Sequence, residues 1–536
     1  MAGEHGPNQG VVIGPQHAGG DINNLVAREL LRGQYIPAQP EHFVRRPEHT
    51  EKIHAQLESR SSDGRAALVA AWGEGGQGKT LLAHAYAREY EEHYPGGRFA
   101  VSVESNTLLT TLSGLCSTVS EAGRELRADE LARIVRDCLS GGKLALLIVD
   151  NVRDQEHWRQ IQAERFFLPE GKGDSDVPVL PGGACRVLVT TRAETLVGCE
   201  AIHVGRLAEP QAMEVLARYR ADAADAENEE AVKAIIAEVE ALAALVAAVG
   251  AKMKLSKNLS WGEYGERLKK AALADLPDVL PDGVGERVRA ETGYGRTAVT
   301  ALADLRAALP EPEQRVLDYA SLLPQDNLVL HWLTALLTVD VAAEGDALHV
   351  DLGADEGGEA RGVEDVIDHL VGIDLLRPLG SGKVTEDETG AAGRLWSVHN
   401  LHGKFAAAVL DQDEDRREAL IDRVCELGKR RAAAAQNAVV EKSLRGEITP
   451  LVALSESLRQ FGRIEEAASV ANYLSTAFRG LGRFTEGRAS LERFADDSPL
   501  CDLSEGGGRG SPVQPRLDPA RPWRSGRSAS ADGAGH

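Results

Sequence analysis

The sequence AALVAAWGEGGQGKTLLAHAYARE, residues 66–89, decides the fold. An apolar run typical of a buried strand leads into a glycine-rich loop, and a helical run follows at once. The loop matches the spacing GxxxxGK[ST] through Gly73, Gly78, Lys79 and Thr80. Glycines allow a tight curl in which backbone N–H groups point at phosphate oxygens, and the start of the next helix favours negative charge. The stretch therefore predicts an α/β domain that binds a nucleotide by its phosphates.

Each part of this loop has an expected task. We expect Lys79 to reach the β- and γ-phosphates and the hydroxyl of Thr80 to ligate Mg²⁺. The glycines expected to lie against the phosphates are Gly73, Gly75, Gly76 and Gly78.

Four further apolar runs alternate with helical stretches up to about residue 205: FAVSV, LALLIVD, CRVLVT and AIHV. Alternation at this spacing predicts parallel strands joined by crossover helices, and hence a three-layer α/β domain with a parallel sheet. The carboxyl ends of such strands meet at one edge of the sheet, where ligands bind.

Two of these strands end in residues that suit phosphate chemistry. Asp150 is expected to hold Mg²⁺ through water, and Arg192 has the planar fork of donors that a γ-phosphate accepts. With Lys79 they form the predicted catalytic set. Asn151 follows Asp150 in place of a second acid, and an amide cannot accept a proton from water. The sequence therefore predicts at most a slow ATPase.

The rest of the chain divides by composition and periodicity. FGRIEEA and LGRFTEG resemble the turns of tetratricopeptide repeats, but they begin only twenty residues apart, short of the usual period of about 34. We predict a flexible leader at 1–34, a phosphate-loop domain at 35–205, a helical domain at 206–290, a winged-helix domain of three helices and a small hairpin at 291–410, an irregular or truncated helical repeat at 411–497, and a disordered tail at 498–536.

Charge and cysteine content exclude several classes of protein. The chain has 82 acidic and 60 basic residues, a net charge of −22, which disfavours binding to nucleic acid. Its six cysteines lie far apart without zinc spacing, which predicts buried thiols in a reducing compartment. It contains neither a signal peptide nor an apolar run of about eighteen residues, so we expect a cytoplasmic protein without membrane contact.

Taken in order, these motifs resemble the NB-ARC branch of the STAND class of signalling NTPases. The resemblance covers about residues 36–410 and rests on GEGGQGKT, LLIVDN, VLVTTR and the entry segment YIPAQPEHFVRRPEHTEKI. In the family the entry segment meets adenine and ribose. Arg45 stands here where the family has glycine, so the resemblance assigns this contact to Val44 and Arg46.

A later stretch, WSVHNLHGKFA, resembles the family's Met-His-Asp stretch. The family's histidine contacts the β-phosphate of bound ADP and keeps the molecule closed, which implies this role for His399. A packing or capping histidine before a helix is the alternative interpretation. The family's Gly-Leu-Pro-Leu-Ala helix should fall within residues 241–252, yet ALAALVAAVGAK contains no proline.

The resemblance implies a signalling switch that binds ADP or ATP with Mg²⁺, closed with ADP and open with ATP. It also implies self-association in the ATP state, a bacterial regulatory or defence role, and a protein partner on the C-terminal helices. The choice of adenine over guanine rests on the resemblance alone.

Three alternatives stay open. A true ATPase that remodels a protein partner needs a catalytic acid after Asp150. A winged-helix transcriptional regulator needs a basic face, whereas residues 311–337 contain few basic side chains. The change of composition after Asp497 also fits a helical repeat array that is cut short.

Overall fold

The structure, a computed structural model, describes residues 34–59, 67–103, 143–163, 185–273, 295–324, 328–344, 362–379, 395–435, 447–480 and 491. The predictions for the leader before residue 34, for the tail after 497 and for the second repeat-like turn at 481–487 lie outside these residues, as do Cys116, Cys138 and Cys501. Of the described cysteines, Cys185 and Cys425 are buried, Cys199 is partly exposed, and all are free thiols.

The amino-terminal module is built on a parallel sheet. Its strands are β1 (Gln34–Tyr35), β2 (Ala67–Trp72), β3 (Arg98–Ser102), β4 (Ala145–Val152), β5 (Cys185–Thr191) and β6 (Glu200–His203). They lie in the order β1-β3-β4-β5-β2-β6, and every pair is parallel. The sequence predicted five of these strands. It missed β1, since two residues at a sheet edge form no readable pattern.

Helices pack against this sheet, and the glycine-rich loop joins β2 to one of them. They are α1 (Pro47–Ser59), α2 (Lys79–Glu89) and α3 (Gln155–Ala163). Ile53 and Leu57 of α1 and Leu82 and Tyr86 of α2 belong to one buried cluster with the side chains of β2. This packing fixes the start of α2 directly beyond the carboxyl end of β2.

A second group is helical, as the sequence predicts: α4 (Glu209–Tyr219), α5 (Glu229–Glu238), α6 (Ala243–Leu255) and α7 (Trp261–Leu273). Trp261 and Tyr264 of α7 are fully buried in its core. The guanidinium of Arg220 lies 4.8 Å from the ring centre of Trp261 and closes this core at the end of α4.

The third group combines helices with a small antiparallel sheet. Its elements are α8 (Arg296–Ala308), α9 (Glu311–Leu322), β7 (Leu328–Val329), α10 (Leu330–Glu344), α11 (Val363–Gly372), β8 (Leu376–Leu379), β9 (Leu395–Val398) and α12 (Asn400–Leu410). The strand order is β7-β9-β8. The prediction of a two-stranded hairpin was incomplete, because β7 adds a third strand.

The remaining described elements are helices: α13 (Glu414–Ala435), α14 (Ile448–Gln460) and α15 (Ile464–Gly480). The predicted glycine turn between α14 and α15 is present, with Gly462 at a φ of 78°. One continuous hydrophobic core runs from α4 to α15. No helix in the described part of the chain is both long enough and apolar enough to cross a membrane.

Candidate functional site

One cavity of about 1020 Å³ lies at the carboxyl ends of β2, β4 and β5. The strand order brings these three ends side by side, with β5 between β2 and β4. The cavity is also bordered by the start of α6 and by the β9–α12 junction. Every site residue predicted from the sequence lines it: Val44, Arg46, Gly73, Gly75, Gly76, Gly78, Lys79, Thr80, Asp150, Arg192 and His399.

The glycine-rich loop adopts a backbone that side chains do not tolerate. Gly73, Gly76 and Gly78 have φ values of 154°, 76° and 83°. A Cβ atom at Gly73 would lie 2.6 Å from the carbonyl oxygen of Val204. The sequence pattern therefore reflects a real backbone requirement at these positions.

Lys79 occupies the centre of the loop. Its Nζ donates hydrogen bonds to the carbonyl oxygens of Gly73, at 2.9 Å, and of Glu74, at 2.7 Å. Burial lowers the pKa of Lys79 to about 8, and the nearby charge of Arg192 acts in the same direction. A bound anion would relieve both effects, so the site favours a negatively charged ligand.

Asp150 is held by hydroxyl groups from two neighbouring elements. Thr80 Oγ1 donates to Asp150 Oδ1 at 2.7 Å, and Thr190 Oγ1 of β5 donates to the same oxygen. Burial raises the pKa of Asp150, while these hydrogen bonds and the charge of Lys79 oppose the rise. The cluster places a hydroxyl oxygen and a carboxylate side by side, the hard oxygen ligands that Mg²⁺ prefers.

Asn151 lies at an irregularity in β4. The register between β4 and β5 shifts between Val149 and Val152, and Asn151 has a φ of 64°. Asparagine and aspartate tolerate this left-handed conformation better than other side chains. Asn151 lines the cavity, and its backbone N–H donates to Thr190 Oγ1 at 3.0 Å. An amide thus occupies a place where an acid would fit the backbone equally well.

Val44 and Arg46 reach the cavity from the entry segment, and both are buried. The guanidinium of Arg46 donates to the carbonyl oxygens of Gln77, at 2.9 Å, and Gly205, at 3.1 Å. Burial lowers its pKa to about 10. Arg46 therefore fastens the glycine-rich loop to the end of the sheet through the protein backbone.

The segment without proline still meets the glycine-rich loop. Helix α6 begins at Ala243, after Ala241 with a φ of 51°, and Leu242 is its N-cap. The N–H of Ala244 donates to the Gly76 carbonyl at 2.9 Å. Ala243 is the first helical residue, a position that accommodates proline without requiring it. The helix therefore contacts the loop through its backbone.

His399 combines the two roles that the sequence left open. It is the N-cap of α12, where its Nδ1 accepts a hydrogen bond from the N–H of Leu401 at 3.3 Å, and it also lines the cavity. Burial lowers its pKa well below the ordinary value, and the charge of Arg377 adds to this. The ring is therefore neutral near pH 7, with its proton on Nε2, which makes Nε2–H a hydrogen-bond donor.

Several cavity residues carry no motif and were missed from the sequence. His42 stacks on Tyr219 with ring centres 3.6 Å apart, and both line the cavity. Asp374 and Arg377 of the third group line it too. Only packing between distant segments brings these residues to the site, so no local pattern could have identified them.

Comparison with known proteins gives one family. Residues 46–224 match the family model of the NB-ARC domain. No curated protein matches the chain.

Among solved structures, a STAND protein with a tetratricopeptide repeat sensor from Pyrococcus horikoshii is 12% identical with a TM-score of 0.40, over 87% of this chain and 65% of that one. A Walker-type ATPase of Pyrococcus abyssi is 14% identical with a TM-score of 0.30, over 71% of this chain and 99% of that one. The chain thus spans less than two thirds of the first structure. TM-scores this low support no conclusion about its function.

Proposed function

From the match of residues 46–224 to the NB-ARC domain model, we propose that the protein binds nucleotide and is a signalling switch operated by ADP and ATP. ADP holds the closed state, and ATP favours an open state that self-associates. The proposal includes a bacterial regulatory or defence role in the cytoplasm. Hydrolysis of ATP is slow, so the bound nucleotide acts as a signal.

One observation carries this proposal: His399 lines the same cavity as the glycine-rich loop. Lys79 and Thr80 come from the amino-terminal module, whereas His399 caps a helix that lies more than three hundred residues further along the chain. A ligand that contacts both therefore holds two modules together. This geometry suits a latch better than an enzyme with a self-contained active site.

The closed state follows from the chemistry of these groups. The loop N–H groups and Lys79 hold the diphosphate, and Nε2–H of the neutral His399 donates to the β-phosphate. Thr80 and Asp150 are the residues that hold Mg²⁺ when it is bound, and Mg²⁺ there neutralises phosphate charge. Val44 and Arg46 belong to the segment that borders the base and ribose.

Exchange of ADP for ATP changes the contacts at the terminal phosphate. Arg192 takes the γ-phosphate, and the contact with His399 is lost. A nucleotide moves such an equilibrium only through its different affinities for the two states, and a nearly complete swing requires about 5.5 kcal/mol. Loss of the His399 contact and gain of the Arg192 contact both contribute to this difference.

We further propose how the modules divide this work. The boundaries are those predicted from the sequence, with 291–410 as a winged-helix domain and 411–497 as an irregular, repeat-like region. Helices α14 and α15 pack as an antiparallel pair around the turn at Gly462, which supports a surface for a protein partner. The acidic composition supports no role for nucleic acid.

The test is the nucleotide that the protein carries through purification, read by denaturing it and chromatographing the supernatant. We expect about one ADP per wild-type chain. We expect His399→Ala to lose this ADP or to carry ATP, with affinity for ADP about tenfold lower because a hydrogen bond to a charged phosphate is lost.

His402→Ala is the matched control. His402 is buried, with its ring centre 5.7 Å from that of His399, but it does not line the cavity. We expect it to keep ADP. Wild-type protein that purifies without nucleotide and turns over ATP faster than about one per second would instead support a true ATPase.

A second prediction concerns slow hydrolysis. Asn151→Asp places an acid beside Asp150 without disturbing the left-handed backbone, since aspartate tolerates a φ of 64°. We expect ATP turnover to rise at least about tenfold, because a positioned base activates water.

Asn151→Gly is the control for this change, because it keeps the backbone and adds no acid. Steady-state phosphate release measures all three proteins. Equal turnover in wild type and Asn151→Asp would show that the missing acid does not limit hydrolysis.

A further inference from the structure

Arg377 lines the cavity and has none of the roles assigned above in the proposed switch. It lies in β8, where it pairs with Ser397 of β9. Strand β9 ends at Val398, and His399 follows directly. The small antiparallel sheet therefore brings Arg377 and His399 to the same side of the cavity.

Asp374 holds the guanidinium of Arg377 in one orientation. Nε and Nη2 of Arg377 donate to the two carboxylate oxygens of Asp374, both at 2.9 Å. The side chains are only 21% and 9% exposed. The two N–H groups of Arg377 that bond Asp374 have the same geometry with which arginine binds two oxygens of a phosphate.

The turn that carries Asp374 is fastened to the helical group. Asp374 has a φ of 62°, which asparagine would also tolerate. Two residues earlier, the carbonyl oxygen of Gly372 accepts a hydrogen bond from Nζ of Lys254 in α6, at 3.0 Å. The position of Asp374 and Arg377 at the cavity therefore depends on the packing of the third group against the helical group.

The charge of Arg377 acts on groups across the cavity. After burial, it is the largest cause of the lowered pKa of His399, and it likewise helps to lower the pKa of His84, in α2, to about 3. It also opposes the burial that raises the pKa of Asp150. Arg377 thus adds positive potential where the phosphates of a nucleotide are expected.

We propose that Arg377 is a second phosphate-binding residue supplied by the carboxyl-terminal part of the chain, and that Asp374 competes with the terminal phosphate of a nucleoside diphosphate for its guanidinium. This inference rests on the proposed function, because it assumes that the nucleotide occupies this cavity. It assigns the closed state two contacts on the far side of the cavity: the neutral donor of His399 and the cation of Arg377.

Competition between Asp374 and the phosphate predicts that substitutions of Arg377 and of Asp374 change the affinity for ADP in opposite directions. Arg377→Gln removes the cation, so we expect ADP to bind about tenfold more weakly. Asp374→Asn keeps the left-handed turn, removes a negative charge near the phosphates and releases the guanidinium. We expect it to bind ADP about three- to tenfold more tightly. Removing either half of a merely structural ion pair would weaken binding or leave it unchanged.

Isothermal titration of the full chain with ADP, after removal of copurified nucleotide, measures these affinities. Arg306→Gln is the matched control, because Arg306 is also a poorly exposed arginine paired with a carboxylate, Asp318 at 2.6 Å, but it does not line the cavity. We expect its affinity for ADP to stay within twofold of wild type. Thermal unfolding without nucleotide checks that each variant is folded.

Lys79→Ala separates this inference from the proposed function. If it abolishes ADP binding while Arg377→Gln binds like wild type, Arg377 is not a phosphate ligand and the switch survives. If Asp374→Asn weakens binding as much as Arg377→Gln, the pair is structural and the inference is overturned. If Lys79→Ala itself binds ADP normally, the nucleotide is not in this cavity and both proposals fail.

Discussion

Lys79→Ala is expected to weaken the binding of both ADP and ATP by at least about 100-fold. Hydrogen bonds to charged groups contribute about 1.5–3 kcal/mol each, and we expect the partly buried Lys79 to make such contacts with more than one phosphate oxygen of a bound nucleotide. The substitution also removes the charge that offsets Asp150 across the cavity. Both nucleotides lose affinity together because they share the β-phosphate. Isothermal titration of the full chain measures the loss.

Two controls make this result specific. Lys52→Ala removes an exposed lysine of α1 that does not line the cavity, and its affinity should equal that of wild type. Thermal unfolding without nucleotide should show that Lys79→Ala is folded, since the hydrogen bonds that Lys79 makes to described residues go to the loop carbonyls of Gly73 and Glu74. A loss below about fivefold would contradict phosphate binding by Lys79.

Glu447→Gln is expected to lower the free energy of unfolding by about 3 kcal/mol at pH 7. The Glu447 carboxylate is buried between the third group and the last helices. It accepts hydrogen bonds from Trp332 Nε1 and from Arg431 Nε, both at 2.8 Å, and from Arg431 Nη2, while His331 Nε2 lies 3.2 Å away. Glutamine keeps the shape but leaves the cation of Arg431 without its counter-ion.

The pH dependence of this effect has a definite sign. Burial alone would raise the pKa of Glu447, but His331, Arg431 and Trp332 outweigh it and lower the pKa from 4.5 to about 2. A depressed pKa contributes stability that is fully present above about pH 4.5 and is lost as the pH falls toward 2. The difference between wild type and Glu447→Gln should therefore shrink between pH 5 and pH 3.

Urea unfolding at pH 7, 5, 4 and 3 measures both effects. Glu426→Gln is the control, because its carboxylate is 57% exposed and pairs with Arg430 one helical turn away in α13. Such a surface pair contributes about 0.3–0.5 kcal/mol. A stability loss in Glu447→Gln as small as in this control would mean that the buried cluster does not stabilise the junction.

The Glu447 cluster also bears on the proposed switch. It joins α10 to α13 and to the start of α14, and so connects the last helices, the proposed surface for a protein partner, to the third group. His399 and Arg377 belong to that third group. A loosened junction should therefore uncouple partner binding from nucleotide binding while the cavity itself stays intact.

The sequence by itself determined the glycine-rich loop, the strand that carries Asp150 and the strand that ends before Arg192. The loop and the two strands are local structures. Glycine spacing and apolar runs predict them because each such pattern involves only a few consecutive residues. His399 was also found, but only through resemblance to a family. In the structure, all of these residues line one cavity.

Other features depended on contacts that no local pattern encodes. The conformation of Asn151 arises from a shift in register between β4 and β5, which a single strand does not reveal. Arg46 lines the cavity, and its guanidinium also donates a hydrogen bond to the carbonyl of Gly205, 159 residues away, which no local pattern predicts.

Arg377 is the clearest example of a cavity residue that local sequence does not predict. Its sequence neighbours form no motif, and its place in the cavity depends on how a short antiparallel sheet packs against modules formed by earlier parts of the chain. Local sequence determined which backbone could surround a phosphate, because steric limits and hydrogen bonding act over a few residues. Only tertiary packing decided which distant charges face the cavity, because burial and Coulomb interactions depend on distance in space.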